Sequence, residues 1–183
     1  YFCVNKFNIL LLQGVVDRHE LALFTFALQL STIIAVIAGS AGKAIQPALY
    51  KLNEIDVITT SKRLAEYYKL VMFAILLVFI LFSKVIIQLF APDRFLESES
   101  VLQILLVSAF LYNLRSVESS LFFYFNKQKW AFYITSISAL VVVVLSIYLV
   151  PKYGMVASAY SILAGSAIAF VCNVVFYKML IRT

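Results

Sequence analysis

Charge is what this sequence has least of: Asp, Glu, Lys and Arg together make up 13% of its 183 residues, against roughly 25% in a soluble domain. So few charged side chains cannot coat an ordinary water-soluble globule. Histidine is nearly missing, with His19 alone, and the two cysteines, Cys3 and Cys172, sit in apolar surroundings without CxxC spacing. Those shortages exclude a His/Cys transition-metal cluster and a disulfide framework, leave both cysteines as packing residues, and give no reason to expect a cofactor. Enzyme signatures are missing as well. There is no GxxxxGK[ST], HExxH or GxSxG. Asp17, Glu20, Asp93, Glu97 and Glu99 are spaced like a solvated loop rather than a magnesium site, so the chain is not expected to be an enzyme.

What is abundant is apolar. The chain is 63% hydrophobic, holds 16 Phe and 11 Tyr, and has a mean hydropathy of +0.97. Residues 21–42 and 153–177 carry no charge, and neither do 130–151; residues 70–92 carry only Lys84, and 100–125 only Arg115 and Glu118. Runs of this length, without the alternation of a barrel strand, read as membrane-spanning helices. The expected fold is an all-α integral membrane bundle of five complete transmembrane helices plus a truncated sixth. The spans fall at about 1–16 (truncated), 21–49, 67–91, 100–125, 130–150 and 155–177 of a single unit covering 1–183. Residues 1–16 lack the charged start and cleavage site of a signal peptide. Because the first residue is Tyr1 rather than Met, the chain reads as part of something longer.

The links alternate in charge. Lys43, Lys51, Lys62, Arg63 and Lys69 precede the third span, Lys127 and Lys129 follow the fourth, and Lys178 and Arg182 close the chain, against Arg18, Arg94, Lys152 and the neighbouring Lys84 on the other links. The positive-inside bias then places the C-terminus in the cytoplasm of a multi-pass protein. It also accounts for the net charge of +6 without a nucleic-acid partner. Pro-Lys-Tyr-Gly at 151–154 leaves room only for a tight turn, making the last two spans an antiparallel hairpin. TTSKRLAEYYKL, at 59–70, reads either as a surface extension of the third helix or as a polar loop.

Arg115 and Glu118 stand out, since a charge near mid-span costs on the order of 3 kcal/mol unless it is paired or faces water. Counting from Val101 puts Arg115 roughly 21 Å into a core of about 30 Å. Ser108, Tyr112, Arg115 and Ser119 form one stripe with Glu118 at its edge. The stripe reads either as an aqueous wall where Arg115 attracts an anion, or as a satisfied pair that braces the bundle. Pro47 removes the hydrogen bond to the Lys43 carbonyl, and a kink there would present Lys43 to a cavity. The bland alternative is a lysine snorkelling at the interface. The candidate binding residues are therefore Arg115, Lys43, Glu118, Ser119 and Tyr112. A row of Ala157, Ser161, Gly165 and Ala169 reads as a close-packing face, echoed by Ala35 and Gly39. Trp130, Tyr133, Tyr148 and Tyr153 fit interfacial aromatic belts.

Four stretches carry a resemblance: ELALFTFALQLSTII at 20–34 with QPALY after it, the YYKLVMFAILLVFILFSKVIIQLFAPDRF run at 67–95, the short basic link before Trp130, and LVPKYGMVASAYSILAG at 149–165. In these the chain resembles the C-terminal half of the polysaccharide-transport family, the O-antigen flippase type, of the multidrug/oligosaccharidyl-lipid/polysaccharide exporter superfamily. It departs from that pattern at Asn5-Lys6-Phe7, Ala22 and Val156. The resemblance implies a parent of about twelve spans in two lobes, lodged in a bacterial inner membrane. It implies movement of polyprenyl-diphosphate-linked oligosaccharide to the outer leaflet by alternating access, with this half inactive alone. Implied partners are that lipid-linked substrate, membrane lipids, the N-terminal lobe, and polysaccharide polymerase or glycosyltransferases. A cation-coupled multidrug exporter, a lipid II flippase and a non-transporting scaffold are the alternatives.

Overall fold

A computed structural model describes residues 2–182, with the side chains of 2–4, Ala48, Glu54, Ile55, Ile181 and Arg182 left out of the description. The expectations for Tyr1 and for the Cys3 and Arg182 side chains lie outside the described residues. Among the described residues there is no strand. The order is α1 (Phe2–Gln13), α2 (Arg18–Leu49), α3 (Glu54–Leu81), α4 (Ser83–Phe90), a 3-10 turn (Asp93–Ser98), α5 (Glu99–Leu114), α6 (Ser116–Tyr124) and α7 (Gln128–Arg182). Four stretches are long and apolar enough to cross a membrane: Arg18–Pro47, Asp56–Leu81, Asp93–Tyr124 and Gln128–Leu180.

The last of these is folded on itself. Gly154 adopts φ 59° and ψ −139°, which breaks α7 into halves 128–153 and 155–182. Ser138 donates to the Gly165 carbonyl at 2.8 Å, and the Trp130 and Phe176 rings lie 5.3 Å apart, so the halves run antiparallel. The expected hairpin is present, but its turn is tighter than expected, with Pro151, Lys152 and Tyr153 still helical. A side chain on residue 154 would need a left-handed backbone and would crowd the Glu20 carboxylate, so glycine fits for both reasons.

Three expected boundaries are revised. The helix expected to begin near residue 67 starts at Glu54, so TTSKRLAEYYKL is an extension of α3 rather than a loop. Buried residues explain this: Val57, Ser61, Ala65, Tyr68, Met72 and Leu76 repeat every three to four positions straight through the charged segment. The same span is interrupted at Phe82 (φ −100°, ψ 15°), where α4 begins. The span at 100–125 is broken at Arg115 (φ −79°, ψ −5°), with α5 ending before it and α6 starting after it. Within α2 the helix continues through Pro47, two residues from its end.

Helix α2 starts on a side-chain cap, the Asp17 carboxylate accepting from the Glu20 amide at 2.7 Å, which satisfies one of the amides a helix start leaves without partners. α5 is central, packed on α2, α3 and α7. Leu102, Leu105 and Leu106 are buried there with Phe24 of α2. Helix α1 docks on the first half of α7 through a buried Ser146 to Asn8 hydrogen bond of 2.6 Å. Leu70, Val71, Phe73 and Leu77 of α3 and Phe132, Leu140 and Tyr148 of α7 point outward. Contiguous apolar surface is what a protein presents to a partner or to a membrane.

The links sort to two ends. At one, Tyr124 donates to the Leu52 carbonyl at 2.9 Å and Trp130 packs between Phe122 and Phe176, gathering Lys51, Lys127, Lys129 and Lys178. At the other, Phe26 meets Phe95 at 5.0 Å and Glu20 reaches Gly154, gathering the links at 14–17, 91–98 and 151–154. Of the expected belt aromatics, Tyr133, Tyr148 and Tyr153 are exposed, whereas Trp130 is partly buried in an aromatic cluster.

Candidate functional site

Four of the five sequence-nominated residues line one cleft of about 290 Å³ between α2, α5, α6 and the start of α7. Lys43, Tyr112, Arg115 and Ser119 are on its wall with Gly39, Gly42, Gln46, Asn113, Ser116, Ser120, Phe123, Ala131 and Thr135. No Asp or Glu is among them. The fifth nominee, Glu118, does not line the cleft.

The break in the helix explains where Arg115 sits. Its Nε donates to the Tyr112 carbonyl at 3.2 Å and its guanidinium lies 4.2 Å from the centre of the Tyr112 ring. Arg115 is 8% exposed. A cation over an aromatic face keeps some electrostatic stabilisation while its other N–H groups remain free to turn toward a ligand. Lys43 is exposed on the opposite wall, one turn before Pro47.

Of the two readings of the stripe, the one in which Arg115 and Glu118 pair with each other does not occur. Glu118 is buried at 5% exposure and accepts from Lys69 at 2.6 Å through Oε1 and from Asn173 at 2.9 Å through Oε2. Asn173 in turn accepts from the Ser119 hydroxyl at 2.9 Å. The carboxylate thus has its charge and both oxygens satisfied by α3 and the second half of α7, facing away from the cleft. Being three residues from Arg115 makes contact possible but does not require it. The rest of the stripe divides in the same way: Ser108 bonds Ser166 at 2.8 Å inside the bundle, whereas Tyr112 and Arg115 face the cleft.

Three hydroxyl protons on the wall are already committed. Ser119 donates to Asn173, Ser120 to the Ser116 carbonyl at 3.1 Å, and Thr135 to the Ala131 carbonyl at 2.9 Å. Those three oxygens therefore offer the cleft lone pairs only. Donors for an anion come from Arg115, Lys43 and the side-chain amides of Gln46 and Asn113, each amide having spent one N–H. The resulting wall combines fixed positive charge with hydroxyl acceptors.

Glycine positions the walls. A Cβ on Gly42 would strike the Ser116 hydroxyl, so this residue sets the approach of α2 to α6. Gly39, nominated as a packing position, instead faces open space in the cleft. Gly165 does serve close packing, with Val142 and the Ser138 carbonyl against it.

A second concavity of about 510 Å³ lies at the other end, over Asp17, Glu20, Lys152 and Gly154. Among the described residues no group of His, Cys, Asp and Glu could hold a metal ion.

Gln46, Asn113, Ser116, Ser120 and Thr135 were not singled out from sequence, and Lys69 and Asn173 were noted only as a basic link residue and as a neighbour of the small-residue row, not as site residues. Lys69 had a detectable signal, since it adjoins Tyr68 on the buried repeat of α3. Comparison of the chain with protein-family models, with curated proteins and with solved structures finds no match. What the fold defines by itself is an all-helical bundle whose long apolar helices enclose a positively charged polar cleft.

Proposed function

We propose that this chain is a membrane-embedded lobe of a flippase that carries polyprenyl-diphosphate-linked oligosaccharide from the cytoplasmic to the outer leaflet of a bacterial cell membrane by alternating access. One observation carries the reading: Arg115 and Lys43 share a cleft whose wall holds no carboxylate. A diphosphate requires positive charge fixed in a polar recess, and a guanidinium matches its oxygens two at a time. The acceptor hydroxyls of Ser119, Ser120 and Thr135 suit the hydroxyl-rich sugar that follows the diphosphate. The end bearing Lys51, Lys127, Lys129 and Lys178 faces the cytoplasm in this reading, which puts Lys43 near the side where the substrate is made. The exposed apolar faces meet lipid and the other lobe.

A cation-coupled exporter of the same superfamily would want a free acid deep in the cavity. The deep acid here, Glu118, is held by Lys69 and Asn173.

The test is deletion of the gene followed by leaflet-selective labelling of polyprenyl-diphosphate-linked glycan. The expected result is accumulation in the inner leaflet, reversed by the wild-type gene and not by a normally expressed Arg115→Ala variant. An unchanged leaflet distribution would overturn the flippase reading. Full rescue by Arg115→Ala would remove Arg115 from the site. The 183 residues alone are expected to give no flipping.

A further inference from the structure

We propose that Lys69 is a positioning residue for the cleft: by holding Glu118 it keeps that carboxylate from neutralising Arg115, and so leaves the guanidinium charge available to a phosphate-bearing ligand. The inference rests on the reading of the cleft as an anion site. It concerns a residue outside the cleft wall, on α3.

The argument is one of charge in a confined region. Of the three charged residues around the break, Arg115, Glu118 and Lys69, only Arg115 lines the cleft, so the charge the cleft receives from them depends on whether the carboxylate engages Arg115. Glu118 engages Lys69, at 2.6 Å. Asn173 fixes the second carboxylate oxygen at 2.9 Å, so the carboxylate is held between α3 and the second half of α7 by one partner from each. Arg115 meanwhile interacts with the Tyr112 carbonyl and ring, neither of which cancels its charge. Residues three apart on a helical path have side chains within reach of each other. That spacing makes Arg115 the alternative partner this proposal invokes, and the observed partner of the carboxylate is Lys69.

Removing the Lys69 ammonium leaves a carboxylate at 6% side-chain exposure without a counter-ion. Removing one partner of a buried pair is strongly destabilising because the remaining charge is left uncompensated. In this proposal Arg115, three residues away on the helical path, takes over as the counter-ion, and an arginine occupied by a carboxylate no longer binds phosphate. Losing a charge-assisted contact weakens binding by about 10- to 100-fold.

The test uses the full chain in nanodiscs of neutral phosphatidylcholine, with inorganic pyrophosphate as the probe and calorimetry as the readout. Lys69→Met is expected to bind 10- to 100-fold more weakly than wild type, by the same reasoning. Lys69→Arg keeps the carboxylate engaged and binds like wild type. Lys69→Met with Glu118→Gln removes the competing carboxylate and recovers binding. Glu118→Gln alone binds like wild type, and it keeps the inference testable if Lys69→Met does not fold.

Wild-type affinity in Lys69→Met overturns the proposal, as does a double variant no better than the single one. A Lys69→Met deficit that disappears at about 0.5 M salt is a screened long-range field rather than a buried contact, and overturns it too. Loss of binding in Glu118→Gln would show that the carboxylate supports the ligand, the opposite of the proposal. A wild-type chain that binds no pyrophosphate fails at a different arm, and overturns the anion-site reading beneath it.

Discussion

Gly39→Ala and Gly165→Ala add the same methyl group to two helices of one molecule, and the structure gives them opposite signs. At Gly39 an added Cβ meets nothing within 4 Å, because the position faces the cleft. The substitution then only removes glycine's excess backbone freedom, a gain of roughly 0.5–1 kcal/mol in a helix interior. At Gly165 the new Cβ runs into Val142, which is 3% exposed and β-branched, and lies 3.1 Å from the Ser138 carbonyl oxygen. Val142 has no free rotamer to retreat into. Neither can the helices part easily, since Ser138 is hydrogen-bonded to the Gly165 carbonyl at 2.8 Å. Overpacking of this kind costs about 1–3 kcal/mol, which outweighs the same backbone gain. The two variants should therefore differ by roughly 1–3 kcal/mol, with wild type between them or level with Gly165→Ala. The protein's one tryptophan supplies the assay. Trp130 sits against Phe122 and Phe176, so its fluorescence reports separation of the α7 halves during denaturation in mixed micelles. Equal midpoints for the two variants, or a more stable Gly165→Ala, would refute the packing argument.

Other outcomes follow from the same contacts. Asn173→Ala strips a donor from Glu118 and an acceptor from Ser119 at once; a loss of about 1–3 kcal/mol is expected in the same denaturation assay. Gly154→Ala should cost about 1–2 kcal/mol for the left-handed backbone, and Glu20→Ala should not restore it, because relieving the carboxylate contact leaves φ at 59°. Single cysteines introduced at Lys127 and Lys152, with Cys3 and Cys172 replaced, should react with an impermeant thiol reagent from opposite sides of the membrane. Labelling of both from one side would overturn the topology.

Much of the fold could be read from the residues alone. The apolar runs located the long helices, and Pro151 with Gly154 located the hairpin, because both signals are local and depend on a helix's length or on one residue's backbone freedom. The site was half legible. Spacing on one helix was enough to put Tyr112, Arg115 and Ser119 together, and the proline near Lys43 directed attention to the right end of α2. The partner of Glu118 was not legible by the same means: Lys69 is 49 positions away in sequence, and a hydropathy reading assigns a charged stretch to the interface. That reading weighs composition within a window, whereas the buried repeat from Val57 to Leu76 crosses the window's edge. The interruption at Arg115 was hidden for a related reason, since nothing in SVESSLFFY or its neighbours breaks a helix by propensity. Tertiary contacts lie on either side of the interruption.

Those contacts have a mechanical consequence. Tyr68 donates to the Asn113 carbonyl at 3.1 Å, and its immediate neighbour Lys69 holds Glu118. Two consecutive residues of one continuous helix thus grip both sides of the discontinuity at Arg115, as a splint grips a fractured rod. On the far side Ser166 and Asn173 do the same from the second half of α7, through Ser108 and Glu118. A helix broken in mid-course is usually suspected of being a hinge, but this one is immobilised from two directions. With hydrogen bonds from α3 and from the second half of α7 on both sides of it, the interruption is a braced mount for the cation it presents rather than a joint.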